Sequence, residues 1–426
     1  MRYPPLSMLA SAGAIALNLA LGATAACSNT TEWVTIWGAM PQLTEPANLP
    51  PAPFNSTGRV FDDTTIRQTV KLSLDTDVIR LEISNVFGGS DLSISAATVA
   101  IPANQTAGIK EIQTDTTQAL TFSGSQSFIV PNGASVLSDP IQMPVAAQSI
   151  LSISIYLKNG QTTNEITSHP GSRTTSFFAK GNHLASLDFE AETAGSADHW
   201  YFISAVEGLI PGTASTIAIV GDSITDGRGS TTNGNDRWPD QLLVRLSQNA
   251  KTRSTAILNQ AAGGNRILND GLGPNALGRI DRDVISHPGV RHAIIFEGVN
   301  DIGTAGTDEA TQSVVGDRLI QAYDQIIQRL HRHNMIVIGA TITPMTGTGQ
   351  VYGHPNREAT RQRVNKWIRE SGVFDSVIDF DEAVRDPVQQ DQLLPKYDTG
   401  DHLHLNPAGY LAMAESVDLT LFETGR

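Results

Sequence analysis

The chain has 426 residues, 29 Lys+Arg against 43 Asp+Glu, a formal net charge of −14, and one cysteine. That length exceeds one ordinary core and points to two domains, while the negative charge opposes binding to nucleic-acid phosphates and to anionic lipid headgroups. A single cysteine excludes an intrachain disulfide and a cysteine-based zinc or iron–sulfur site, and 40% apolar against 17% charged residues excludes global disorder.

Arg2 is the only charged residue before Glu32, and an apolar stretch from Leu6 to Leu21, interrupted by Asn18, follows it. Ala23-Thr24-Ala25-Ala26 then supplies the small residues a signal peptidase accepts. Residues 1–26 are therefore expected to be a signal peptide and the protein to be secreted. The apolar run is shorter than the roughly 20 residues a membrane span needs, so no stable membrane insertion of the mature chain is expected. Cys27 reads as an unpaired thiol at or next to the new N-terminus, because Thr24 stands where a lipid-attachment signal has a larger aliphatic residue. Asn-x-Ser/Thr triplets at Asn29, Asn55 and Asn104 are expected glycosylation sites on exposed loops.

From about Trp33 to Ile210 the pattern has period two. Ile66, Gln68, Val70, Leu72 and Leu74 alternate with polar neighbours, as do Ile79, Leu81 and Ile83, and then Leu151, Ile153, Ile155 and Leu157. Such alternation buries one face of a strand and wets the other. Turn signals fall at Gly88-Gly89-Ser90-Asp91, Pro131-Asn132-Gly133 and Asn159-Gly160. Residues 27–210 are expected to form an all-β sandwich or jelly-roll-like accessory domain.

After Gly212 the pattern changes to continuous apolar runs, as strands buried on both faces require: Ile217–Val220, Ala256–Leu258, Ala293–Phe296, Ile336–Ala340 and Val377–Phe380. Leu319, Tyr323, Ile326 and Leu330 share one helix face. Residues 357–371 read as another helix, and Asn406 followed by Pro407 starts a last one. Strand alternating with helix predicts an α/β domain over residues 211–426, a parallel sheet whose function gathers at the carboxyl ends of its strands.

Four segments of that domain carry chemistry. Gly221-Asp222-Ser223-Ile224-Thr225-Asp226-Gly227 follows the first apolar run, so Ser223 leaves a buried strand at its carboxyl end. Asn259-Gln260-Ala261-Ala262-Gly263-Gly264-Asn265-Arg266, Gly298-Val299-Asn300-Asp301 and Asp401-His402-Leu403-His404-Leu405-Asn406-Pro407 are the others. Gly-x-Ser-x-Gly is not used. In this order and spacing the four segments resemble the four signature blocks of the SGNH, or GDSL, family of serine esterases and acylhydrolases. The resemblance spans about residue 213 to the C-terminus and implies a flavodoxin-like α/β fold; the preceding sandwich-like region is similar to one that some secreted members carry. It implies Ser223 as nucleophile, His404 as general base and Asp401 as its partner. It further implies an oxyanion hole from the backbone N–H groups of Ser223 and Gly264 and the side-chain amide of Asn300, with no metal and no cofactor.

The physics suits these roles, because a serine hydroxyl attacks poorly until an imidazole takes its proton and an oxyanion needs preorganised donors. Other readings stand beside them. His402 rivals His404, or pairs with it on a metal. His331 and His333 read as solvated residues at a helix C-terminus. Asp222 and Asp226 either orient the Ser223 loop or cap turns; Asp301 caps a turn; Trp238 walls the cleft or packs in the core. The expected function is hydrolysis of carboxylic esters through an acyl-serine, with short-acyl esters of carbohydrates or small molecules preferred by analogy. The partner is an ester substrate, a polysaccharide among the candidates, and not nucleic acid; nothing in the sequence sets the oligomeric state. Two alternatives remain: a lipase or lysophospholipase, and a carbohydrate-binding protein with a vestigial hydrolase domain.

Overall fold

The computed structural model describes residues 30–56, 58–190 and 193–423. The expectations for residues 1–26, Cys27 and Asn29 lie outside the described residues, as does Thr57 of the second triplet. Asn104 is exposed and Asn55 half-buried.

Residues before Gly212 form mostly antiparallel strands. One sheet runs Thr31–Gly38, Ile203–Pro211, Thr76–Ser84 and Ser135–Leu137 in spatial order. A larger one is built around Arg59–Lys71 and Ile150–Gln161, which pair over most of their length. Ile79, Leu81 and Ile83 of the first and Ile66, Ile153 and Ile155 of the second share a single buried apolar cluster, the layer between two packed sheets.

Two local expectations are corrected. The polar alternates of the second sheet are not wet: Arg67, Thr69, Ser152 and Ser154 are all buried. The segment carrying His183 to Phe189 folds over them, with the Arg67 guanidinium donating to the carbonyls of Lys110, His183 and Ser186 and lying 4.4 Å from the Phe189 ring centroid. Gln68, placed among the apolar residues by the alternation, accepts from Tyr201 N–H and donates to Tyr201 C=O, so its amide completes a backbone pairing. Asn159-Gly160 is not a turn either. The strand continues to Gln161, with Gly160 at φ +58°, where a Cβ would lie 2.4 Å from Val60 O.

The C-terminal region holds a five-stranded parallel sheet flanked by helices. Its strands are β1 (Ser215–Gly221), β2 (Thr255–Ala261), β3 (Val290–Phe296), β4 (Ile336–Ala340) and β5 (Ser376–Ile378), in spatial order β2-β1-β3-β4-β5. This is the flavodoxin-like doubly wound order. Ile217, Ala218, Ile219 and Val220 of β1 are fully buried, as a central strand covered on both faces requires. The run Val377–Phe380 yields a strand only to Ile378, because Asp379 accepts from Glu382 N–H and starts the next helix. In chain order the α-helices are α1 (Ser223–Asp226), α2 (Trp238–Gln248), α3 (Ala276–Ile280), α4 (Val299–Thr304), α5 (Glu309–His331), which buries Leu319, Tyr323, Ile326 and Leu330, α6 (Pro355–Glu370), α7 (Phe380–Val384) and α8 (Pro407–Ser416), which is capped by the Asn406 side chain.

The two regions share a buried seam. Thr35 N–H donates to Pro288 O, Thr216 Oγ1 to Thr35 O, and Ser73 Oγ bonds both backbone groups of Ile257. Gly38 is required there, since a Cβ would stand 2.3 Å from Leu258 Cδ1. This seam carries the loop around His169 to the carboxyl edge of the parallel sheet.

Candidate active site

β1 ends at Gly221. Asp222 Oδ1 accepts the Ile224 N–H at 3.0 Å and caps a four-residue helix, α1 (Ser223–Asp226), which Gly227 closes in the left-handed region at φ +90°. Ser223 thus occupies the first helical position, where its own N–H has no intrahelical partner. Its Oγ lies 2.7 Å from His404 Nε2.

His404 reaches it from the loop before α8. The imidazole Nδ1 lies 2.6 Å from Asp401 Oδ2, while Asp401 Oδ1 accepts the backbone N–H groups of His404 at 2.8 Å and Leu403 at 3.0 Å. Desolvation works against the Asp401 carboxylate, but these donors and the imidazole outweigh it and bring its pKa down to about 2. Burial lowers the His404 pKa, with the Arg228 and Arg173 charges adding to that and Asp401 opposing it. His402 does not compete. Its Nδ1 lies 2.7 Å from Asp398 Oδ2, and its backbone is left-handed at φ +58°.

The glycine loop after β2 comes to the same edge. Gly264 has φ +72°, a Cβ there would lie 2.4 Å from Leu272 Cδ1, and its N–H meets no acceptor among the described residues. Asn300 lies in the short helix α4 (Val299–Thr304) after β3. Its Nδ2 donates to Asn265 O at 2.9 Å and its Oδ1 accepts from the Tyr352 hydroxyl at 2.9 Å, so the amide is oriented and one N–H remains. Ser223, Gly264, Asn300 and His404 all line one open cleft of about 920 Å³. Such an arrangement can move a proton from the hydroxyl to the imidazole and meet a developing oxyanion with fixed donors.

The remaining acids divide by role. Asp222 is a cap, and burial pushes its pKa up to about 7. Asp301 does not cap its own turn: Oδ2 and Oδ1 accept Ile267 and Leu268 N–H, pinning the Gly264 loop, and burial raises its pKa to about 6. Asp226 reaches His169 at 3.0 Å. Trp238 packs in the core, with Nε1 donating to Thr225 Oγ1 and its ring 5.0 Å from Phe380. His331 pairs with Asp375 at 2.8 Å. Among the described residues no group of three His, Cys, Asp or Glu side chains is placed to hold a metal ion.

Among the residues that escaped the sequence reading are Tyr352, Arg228, Gln42 and Arg173 in the cleft, the last two from the β region, and His169, buried against Asp226. The Pro170-Gly171 turn signal lies between His169, which ends the short strand Thr167–His169, and Arg173, and Tyr352 follows a glycine-rich stretch; neither follows a strand of the parallel sheet directly.

Residues 219–412 match the model of the GDSL-like Lipase/Acylhydrolase family. No curated protein matches the chain. Among solved structures, a protein of the G-D-S-L family from Desulfitobacterium hafniense DCB-2 is similar at 19% identity and TM-score 0.36, covering 47% of this chain and 97% of that one. The acetyl xylan esterase AlAXEase is similar at 20% identity and TM-score 0.35, covering 47% and 96%. A GDSL-like lipase from Bacteroides thetaiotaomicron is similar at 16% identity and TM-score 0.33, covering 47% and 84%. The α/β region of this chain is a GDSL-like lipase/acylhydrolase domain, that of a carboxylic ester hydrolase.

Proposed function

We propose that the protein is a secreted serine esterase that removes short acyl groups, acetyl above all, from carbohydrates or small molecules. The observation that carries this is the unbroken relay Ser223 Oγ–His404 Nε2 at 2.7 Å and His404 Nδ1–Asp401 Oδ2 at 2.6 Å, opening into the cleft. Ser223 Oγ attacks the ester carbonyl as its proton passes to His404 Nε2. The tetrahedral oxyanion is held by the N–H groups of Ser223 and Gly264 and the free N–H of Asn300. Collapse breaks the ester C–O bond, and the alcohol leaves with the proton from His404. Water, deprotonated by His404, then attacks the acyl-serine, releases the acid and restores Ser223. Asp401 keeps Nδ1 protonated and stabilises the imidazolium. No metal or cofactor enters these steps.

The polar side chains of Gln42, Asn48, Gln350 and His199 in the cleft wall support a short acyl group on a hydroxylated alcohol over a long aliphatic chain. The leader-like residues 1–26 support an extracellular substrate. With 4-nitrophenyl esters, kcat/KM is expected to peak at acetate and fall towards palmitate, and Ser223→Ala to abolish hydrolysis; a maximum at long chains overturns the short-acyl reading, and full activity in Ser223→Ala overturns the nucleophile.

A further inference from the structure

Two arginines line the cleft beside His404. Arg173 comes from the β region and Arg228 from just beyond α1. Among the described residues no carboxylate or carbonyl meets either guanidinium, and Arg173 Nε is buried without a hydrogen-bond partner. The carboxylates of the same cleft are already engaged. Glu45 accepts from Gln42 and Asn48, Asp401 meets His404, and Asp226 meets His169 through Oδ1 while its Oδ2 is buried and bonded to no described residue. A guanidinium has five donors and cannot shed its charge, so two that find no acceptor in a chain of net charge −14 await one from outside. The backbone holds Arg173 ready: its φ is +50°, a region L side chains rarely adopt, and Asn233 N–H binds its carbonyl at 2.8 Å. Both line the cleft that holds Ser223 and His404, and because an acetyl group carries no carboxylate, an anionic group that meets them belongs to the alcohol portion of the ester.

We propose that Arg173 and Arg228 form a subsite for a carboxylate on the alcohol portion of the substrate, so that the preferred esters are acylated acidic carbohydrates carrying uronic acid units. This rests on the esterase reading above and narrows its substrate class. Planar guanidinium groups pair with carboxylates through two parallel hydrogen bonds, which fixes orientation as well as charge. The subsite also ties the β region to catalysis, because Arg173 is its contribution to substrate choice. Gln42, Asn48 and Gln350 in the same cleft supply hydrogen-bonding partners for the hydroxyls of such a sugar.

Acetate release by the full-length protein from acetylated oligogalacturonate, compared with neutral acetylated xylo-oligosaccharide, tests this. Wild-type protein should favour the acidic substrate. Arg173→Gln/Arg228→Gln should lower the acidic-to-neutral ratio of kcat/KM about tenfold, chiefly through KM, with Lys at both positions restoring part of it. High salt should shrink the wild-type ratio. Arg318→Gln, on an exposed face of α5, should leave the ratio as it is. A double-variant ratio within about twofold of wild type overturns the subsite. So does a double variant that instead loses a preference for lysophosphatidylglycerol over lysophosphatidylcholine. Ser223→Ala that still hydrolyses 4-nitrophenyl acetate overturns the esterase reading beneath it, whereas an intact Ser223 dependence with no acidic preference overturns the subsite alone.

Discussion

Asp226, three residues after Ser223 on α1, meets His169 of the β region at 3.0 Å, with side-chain exposures of 1% and 3%. His169 Nδ1 lies 3.0 Å from Met40 O, so that nitrogen carries a hydrogen, and a second proton must lie between Nε2 and Asp226. The contact binds the short catalytic helix to the other domain through a desolvated polar pair. Removing one partner leaves the other buried and unpaired, which costs about 3–5 kcal/mol. Asp226→Ala and His169→Ala should each lose stability on that scale in chemical denaturation, and the double variant should lose much less than their sum. Strict additivity would mean the two side chains are not energetically linked.

Tyr352 acts on the site through Asn300. Its hydroxyl fixes which end of the amide faces Asn265 O and which N–H is left for substrate. Asn300→Ala should lower kcat about 10²–10³-fold with little change in KM. Tyr352→Phe loses one hydrogen bond, about 1 kcal/mol, and should lower kcat roughly fivefold. Gly303 is the packing complement of the ring: a Cβ there would stand 2.2 Å from Tyr352 Cδ2. Gly303→Ala should therefore slow hydrolysis more than Tyr352→Phe does. Equal or smaller effects would separate Tyr352 from the orientation of the amide.

These pairs also show where sequence pattern stops. Ser223, Gly264 and Asn300 each follow an apolar run, and a run buried on both faces reads as a strand of a sheet covered on both sides, so their common edge was legible from local composition. Tyr352 sits on a loop of the α/β domain far in sequence from Asn300, and His169 and Arg173 reach the site only through the seam between the domains; neither relationship leaves a periodic trace. The same limit governs Asn159-Gly160: a turn dipeptide locally, it lies within a strand because Val60 and Asp62 cross close to Gly160. Arg67 reads as a solvated alternate until the segment that covers it is in place.

Glu297 lies beneath the site at the end of β3, with neither carboxylate oxygen hydrogen-bonded among the described residues and Arg279 Nη2 3.5 Å away. Burial raises its pKa to about 8; Arg279 opposes this, and Asp222, Asp301 and Asp283 add to it. A folded pKa above the unfolded value means that the native state holds the extra proton. The stability is present below the unfolded pKa near 4.5 and is lost as pH rises towards about 8. Wild-type protein should lose up to roughly 1.4 kcal/mol per pH unit across that window relative to Glu297→Gln, which cannot ionise. Parallel stability curves for the two proteins from acid to alkaline pH would contradict this.

The pH dependence of hydrolysis tests the charges around His404 from two sides. The base must be neutral to accept the Ser223 proton, so the acid limb of kcat/KM follows the free-enzyme pKa of His404. Burial, with Arg228 and Arg173, holds that value below 6.5, and Asp401 is the group that pulls it up. Arg173→Gln/Arg228→Gln removes two positive charges and should move the limb to higher pH. Asp401→Asn removes the negative one and should move it to lower pH, while also costing about 10⁴-fold in kcat because the imidazole loses its orienting carboxylate. Asp401 and the Arg228 and Arg173 charges act on the imidazole in opposite senses, so opposite displacements identify the electrostatic balance as theirs. Displacement in the same direction, or an acid limb indifferent to both changes, would show that another group controls the ionisation seen in the rate.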